Sequence, residues 1–400
     1  MVFTAAGLLF GVDALGLVDP SATGEEVKVL AEATLAVVLF SDASRIDLRA
    51  LRRDVGMPAR LLGIGLPLTI VAGFVVAVVA LGDLAWPEAL LVAIILAPTD
   101  AAVGQAVVTF ERLPVRVRQS LNVESGLNDG ICVPLFLIAL AIAQAEEEAI
   151  GHGQAVQLVL EKIGYGVAVG ALAGVAAAAV VVYTGGRRLV AEPWLQVVPI
   201  AGAALAFGLA EAIGGSGFIA AFVAGGVFGE LRKRREGASG GDVSYLLEET
   251  GAVLAAVTFI VFGAVLLGPA LHALTWEIAF YVVLSLTIVR MLPVEISMRG
   301  TGARLPTVAF LGWFGPRGAA SIVFALILVE EGGLPNDDII LSTVFVTVGV
   351  SVLAHGITAA PFARKYAAWL EAHPKPGPPA VESGGDVEVR WRLERETRRG

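Results

Sequence analysis

Long apolar runs, broken by short polar loops, recur from one end of the chain to the other. The stretch from Leu61 to Gly82 holds no Asp, Glu, Lys, Arg or His, and neither does Ile163 to Gly186. Each is long enough to cross about 30 Å of hydrocarbon as a helix rising about 1.5 Å per residue. The pattern predicts about twelve spanning segments, near 2–18, 27–42, 60–82, 87–110, 116–144, 155–183, 194–213, 216–230, 248–268, 276–297, 306–330 and 338–361. No period-two alternation recurs, which argues against a membrane β-barrel. The expected fold is an all-α polytopic membrane protein, with a membrane domain over 1–368. Residues 369–400 are rich in Pro, Gly and charge and read as a mostly disordered cytoplasmic tail.

Charge then orients the segments. Arg45, Arg49, Arg52 and Arg53 follow the second segment, Arg112, Arg116 and Arg118 the fourth, and Arg187 and Arg188 the sixth. Arg232 to Arg235 follow the eighth, Arg299 and Arg304 the tenth, and Arg364 and Lys365 the last. The intervening loops carry no Lys or Arg and hold acidic runs such as Glu146 to Glu148. Basic loops stay on the cytoplasmic side, so every even-numbered segment ends inside and the C-terminus is cytoplasmic, in a cell membrane. The opening stretch lacks the basic n-region and cleavage site of a signal peptide.

Composition narrows the classes further. The chain is 56% hydrophobic and 16% charged, which excludes a soluble enzyme. The lone Cys132 excludes a disulfide framework and a thiolate metal site. His152, His272, His355 and His373 show no metal-ligand spacing and read as surface or interface residues. The basic run at Arg232 is a topology signal in contact with lipid, not a nucleic-acid patch. No cofactor is expected.

Two segments in corresponding halves are interrupted. "ILAPTDAAVGQ", Ile95 to Gln105, contains Pro98, Thr99 and Asp100; "LGWFGPRGAAS", Leu311 to Ser321, contains Gly315, Pro316, Arg317 and Gly318. Backbone freed at membrane depth must be buried in protein or line a wet cavity. Paired broken helices are the mark of inverted-repeat transporters, with the binding site where they cross. Between them lies "VESGLNDG", Val123 to Gly130. Glu124 and Asn128 are four apart, as are Ser125 and Asp129, so all four share one side of a helix. They present oxygen donors suited to a hard monovalent cation. A charged residue at the bilayer centre costs about 2.5–3.5 kcal/mol, so Asp100, Glu124, Asp129, Arg290 and Arg317 point to transport rather than to structure alone.

"APTDAAVGQAVVTFERLPVRVRQSLNVESGLNDGICVPLF", Ala97 to Phe136, resembles the cation:proton antiporter family of bacterial NhaP-type sodium/proton exchangers and their animal relatives. "GWFGPRGAASIVFAL", Gly312 to Leu326, resembles the family's arginine-bearing broken helix, and "EAIGGSGFIAAFVAGGVFG" and "IVRMLPV" are similar to further family stretches. The resemblance implies Asp129 as the carboxylate that takes either cation or proton, with Ser125 and the Thr99 backbone carbonyl completing a Na⁺ shell beside Asn128. It implies that Glu124 pairs with Arg317, while Asp100 and Arg290 offset the dipoles of the broken-helix ends. Family members usually carry one more helix before "AAGLLFG"; here the chain starts inside that segment, so either the start is truncated or this member lacks the helix. A homodimer in lipid is also implied.

The function expected is electroneutral, one-for-one exchange of Na⁺ (or Li⁺) for H⁺ by alternating access. Potassium/proton exchange on the same scaffold is the nearest rival. A channel or sensor that has lost exchange is a further one, disfavoured because the polar residues cluster at one depth.

Overall fold

The computed structural model describes residues 1–11, 14–17, 25–46, 56–100, 103–147, 152–187, 190–236, 243–331, 333–373 and Glu382, and every structural statement here concerns those residues. All regular elements among them are helices. In chain order they are α1 (Val2–Phe10), α2 (Glu25–Arg45), α3 (Gly56–Ala80), α4 (Trp86–Ile95), α5 (Gln105–Val108), α6 (Val115–Glu147) and α7 (His152–Gly186). There follow α8 (Pro193–Ala212), α9 (Gly217–Glu236), α10 (Tyr245–His272), α11 (Trp276–Leu286), α12 (Ile288–Met298), α13 (Leu305–Trp313), α14 (Ala319–Glu331) and α15 (Asp337–Ala372).

Seven helical stretches are long and apolar enough to cross a membrane, and α4 and most of α14 are shorter apolar helices. Large apolar side chains such as Val71, Val79, Leu172, Leu205, Val253 and Val283 are exposed on the outer faces. So much exposed hydrocarbon has no place in water, and the chain is a multi-pass membrane protein.

Several boundaries differ from those read in the sequence. The first segment, expected over 2–18, is helical only over Val2–Phe10; it packs backbone to backbone against a π-helical turn of α10 at Gly263. The fourth, expected over 87–110 with an interruption at Ile95 to Gln105, is broken there into α4 and the four-residue α5, as expected. The tenth, expected over 276–297, divides at Thr287, whose φ of −115° and ψ of −90° end α11 and start α12. The last continues past 361 to Ala372. Pro361 sits inside it without ending it. Arg49, Arg52, Arg53, Glu148 and Arg188 lie outside the described residues, as does the expected tail from residue 374 on, except Glu382.

Helix ends are fixed by side chains from elsewhere. Glu88, on the first turn of α4, accepts from the Ala85 amide at 2.8 Å and from Asn336 at 3.1 and 2.8 Å, tying the start of α4 to that of α15. Lys233 of α9 donates to the carbonyls of Ser44, Arg45 and Ile46 and so caps α2, where a cation suits the exposed carbonyls. Phe136 of α6 stacks on Phe324 of α14 with ring centroids 4.9 Å apart. That contact brings the carboxylate-bearing helix against the second broken helix.

The two broken helices meet at their breaks. The Asp100 amide donates to the Pro316 carbonyl at 2.7 Å, and Ser321 Oγ donates to the Ile95 carbonyl at 2.6 Å. Each break thus satisfies backbone groups the other leaves unpaired, which lipid could not do.

A candidate cation and proton site at the crossing

α6 runs unbroken through the polar octet, so Glu124, Ser125, Asn128 and Asp129 do share a face, and all four are buried. Pro134 lacks an amide proton, so it cannot donate to the Gly130 carbonyl one residue past Asp129.

Three of the expected residues form one hydrogen-bonded cluster. Asn128 Nδ2 donates to Thr99 Oγ1 at 2.7 Å, and Thr99 Oγ1 lies 3.1 Å from Ser125 Oγ. These bonds hold the break of the first broken helix against α6. They leave two buried oxygens, Asn128 Oδ1 and Asp129 Oδ1, with no hydrogen-bond partner. An unpartnered carboxylate oxygen costs free energy at this depth unless a proton or a cation occupies it. Asp129 is 7% exposed, and no ion pair to it occurs among the described residues.

The arginines divide their work differently from the expectation. Glu124 pairs with Arg290, not with Arg317: Arg290 Nη1 and Nη2 reach the two Glu124 oxygens at 2.5 and 2.9 Å, a bidentate bond between side chains that are 2–3% exposed. Arg317 instead donates to the Ala97 carbonyl at 3.4 Å and the Gly315 carbonyl at 3.2 Å. It therefore meets the carbonyl ends of both first half-helices, the role expected of Arg290. The reason is placement. Arg290 stands on the third residue of α12 and reaches α6, whereas Arg317 lies in the break itself, among carbonyls that α4 and α13 leave unpaired.

Asp100 sits at the opposite pole of the crossing. Its Oδ2 accepts from the Ala319 amide at 3.0 Å, at the start of α14. A carboxylate there meets the positive end of the helix dipole. The fit requires glycine beside it. A Cβ on Gly318 would lie 1.9 Å from Asp100 Oδ2, and one on Gly315 would lie 2.3 Å from Arg290 Nε. Both glycines of the "GPRG" turn are there so that charged side chains can press against backbone.

One residue of this cluster escaped the sequence reading. Asp42 of α2 packs over Gly126: a Cβ there would be 3.3 Å from Asp42 Cβ. Gly126 is one helical turn before Asp129, and Asp42 and Asp100 both act electrostatically on Asp129. Their negative charge beside Asp129 favours a cation there. Asp42 is the last residue of the expected segment 27–42, just before the basic residues that set topology, and the sequence reading gives it no role. An acid placed on the membrane side of a basic cluster was the available signal. The histidine reading also needs correction: His355, expected at a surface or interface, is 1% exposed and bonded to the second break.

Known proteins share the sequence pattern and the fold. A family described as "sodium/hydrogen exchanger, transmembrane" matches residues 1–365. The "K(+)/H(+) antiporter NhaP2" of Shewanella oneidensis is 28% identical over 387 residues, spanning 94% of this chain and 64% of that protein. The chain thus spans about two thirds of the length of these Shewanella relatives. The "Na(+)/H(+) antiporter NhaP" of Pseudomonas aeruginosa is 29% identical over 354 residues, 83% of this chain and 79% of that one. Among solved structures, the sodium proton antiporter MjNhaP1 from Methanocaldococcus jannaschii at pH 8 shares the fold, with a TM-score of 0.75 at 20% identity over 92% of each chain. With crossing broken helices, buried carboxylates and a match that runs through all of them, this chain belongs to the sodium/hydrogen exchanger family.

Proposed function

We propose that the protein is a secondary transporter that exchanges Na⁺ (or Li⁺) for H⁺, with Asp129 holding one or the other but never both. The observation that carries this reading is the buried, unpartnered Asp129 Oδ1 beside the Thr99–Ser125–Asn128 cluster. Hydroxyl, amide and carboxylate oxygens make a hard donor set, which suits an alkali cation that has shed part of its water. A proton on Asp129 satisfies the same oxygen by neutralising it.

One-for-one exchange follows if Asp129 alone changes occupant. Glu124 remains bound to Arg290, and Asp100 to the start of α14, so neither needs to gain a proton in the cycle. Asp42 keeps its protonation state in this scheme. The loaded protein then carries equal charge in both directions, and exchange is electroneutral. Access alternates as the unit built on the crossed breaks moves against the remaining helices. A homodimer, a cell-membrane location and a cytoplasmic C-terminus belong to the same proposal. The alternation of basic loops supports the orientation, and the dimer rests on the family resemblance.

A second reading, K⁺ in place of Na⁺, is favoured by one fact: the Shewanella and Alkalimonas amylolytica relatives are named as potassium/proton antiporters. The oxygen donors fit either ion. The test is dequenching of a pH dye in proteoliposomes on adding Na⁺, Li⁺ or K⁺, with wild type and Asp129→Asn. Exchange that survives in Asp129→Asn removes the role given to Asp129. With valinomycin and K⁺ clamping the voltage, an initial rate that varies with potential removes the one-for-one stoichiometry.

A further inference from the structure

The break between α13 and α14 is gripped from α15 by two residues one helical turn apart. The Arg317 amide donates to Ser351 Oγ at 2.7 Å, and His355 Nε2 lies 2.9 Å from the Trp313 carbonyl oxygen. His355 Nδ1 lies 2.8 Å from the Ser351 carbonyl oxygen and 3.1 Å from Ser351 Oγ. Each ring nitrogen thus faces a carbonyl, which can only accept, so a neutral ring donates to one of the two: to Ser351, in its own helix, from Nδ1, or to Trp313, across to the break, from Nε2. The Nε2–H form is the one that grips the break, and in it Ser351 O–H can donate to Nδ1 while Ser351 Oγ accepts from the Arg317 amide. The Trp313 indole adds a third rung, donating to Thr358 Oγ1 at 2.9 Å. Ser351 and His355 are fully buried at 0% and 1% exposure.

Trp313 is the last residue of α13, and Arg317 lies two residues before α14. The grip therefore spans the whole unwound turn, pinning the carbonyl where the first half-helix ends and the amide that leads into the second. From there it reaches the candidate cation site in two steps. The Arg317 side chain bonds the Ala97 carbonyl, and Ala97 lies two residues before Thr99, which bonds both Ser125 and Asn128. A buried hydrogen bond to backbone that has no helical partner fixes position at little entropic cost, because the groups have nowhere else to go.

We propose that Ser351 and His355 are positioning residues for exchange: they set the shape of the second break and, through Arg317 and Ala97, the place of Thr99 at the cation site. This rests on the antiport reading above, but the grip itself is testable without transport. Two measurements separate the two. Hydrogen–deuterium exchange of purified protein reads the break directly. Ser351→Ala and His355→Leu should speed exchange in peptides over 313–318 while peptides over 123–136 stay as protected as in wild type. Unchanged protection over 313–318 overturns the proposal whatever the protein transports.

Cation-dependent exchange in proteoliposomes then reads the site. Ser351→Ala and His355→Leu should raise the apparent KM for the cation roughly fivefold, about the weight of one buried hydrogen bond, with the maximal rate near wild type. Ser351→Thr keeps the hydroxyl, and His355→Gln keeps an N–H at the reach of Nε2; both should restore the wild-type KM. A loosened break with an unchanged KM, or a raised KM that neither conservative variant restores, shows a merely structural role and overturns the proposal. Failure of wild type to exchange any cation overturns the antiport reading instead, and leaves the grip to be judged by hydrogen exchange.

Discussion

The Glu124–Arg290 pair is the sharpest place to perturb the structure, because both the partner and the cost can be stated. The two side chains are 2–3% exposed and joined by two hydrogen bonds of 2.5 and 2.9 Å. Removing one member of such a pair strands a buried charge, which costs about 3–5 kcal/mol. Glu124→Gln keeps one acceptor for Arg290, so the lower end applies. At roughly 2 °C per kcal/mol for a chain of this size, the apparent melting temperature in detergent should fall on the order of 5 °C or more. Unfolding of a membrane protein in detergent is commonly irreversible, so variants are compared at one scan rate. The partner is identified by two double-mutant cycles. Glu124→Gln combined with Arg290→Gln should cost clearly less than the sum of the single changes, since the second change removes the charge the first one strands. The cycle with Arg317→Gln should lie closer to additive, by a margin of about 1 kcal/mol or more. An unchanged melting temperature in Glu124→Gln, or stronger coupling to Arg317 than to Arg290, would refute this partition of the arginines.

Other consequences can be checked singly. Gly318→Ala places a methyl group where Asp100 Oδ2 now sits, 1.9 Å from it, so it should abolish exchange and lower stability; a fully active Gly318→Ala would mean the crossing is looser than described. Asp42→Asn removes one of two carboxylates acting on Asp129 and should raise the cation KM roughly three- to tenfold without making exchange voltage-dependent. An unchanged KM would remove Asp42 from the site. Beyond the last helix, Glu382 accepts from the Arg304 amide at 2.9 Å and the Thr307 hydroxyl at 2.5 Å and pairs with the Arg304 guanidinium. Burial works to raise its pKa, but the Thr307 hydroxyl and the Arg304 amide and guanidinium outweigh it and hold the carboxyl below its ordinary value. A depressed carboxyl stabilises above the unfolded pKa, about 4.3, and loses that contribution as pH falls through the lower folded value. The contact should therefore survive from neutral pH to about 5 and open in stronger acid, whereas Glu382→Gln weakens it already at neutral pH. Limited proteolysis of the C-terminal segment across pH reads this, and equal protection of wild type and Glu382→Gln at neutral pH would contradict it.

How far the sequence carried these conclusions depended on the kind of signal. The breaks were legible because Pro98 and the Gly315–Gly318 turn cannot continue a helix, and the carboxylate face was legible because spacing of four within α6 survives any tertiary arrangement. The partner of Glu124 was not legible. Two buried arginines were available, and only the packing of α12 against the break assigns one to α6 and the other to the carbonyls. The division at Thr287 carries no Gly or Pro to announce it. Asp42 and His355 were hidden for a related reason. Each is a polar residue among small and apolar neighbours, ordinary along the chain and significant only by what faces it across the helix interface.

The central claim is that one buried carboxyl takes a proton or a cation in turn, and proton release on cation binding tests it most directly. Purified protein in a weakly buffered dye solution, titrated with Na⁺ and with K⁺ across a pH series, should release close to one proton per cation bound at the acid end. The release should fall towards zero as pH rises and the site empties of protons beforehand. Asp129→Asn should release none at any pH. Cation binding that displaces no proton from wild type at any pH, or undiminished release in Asp129→Asn, would contradict the account.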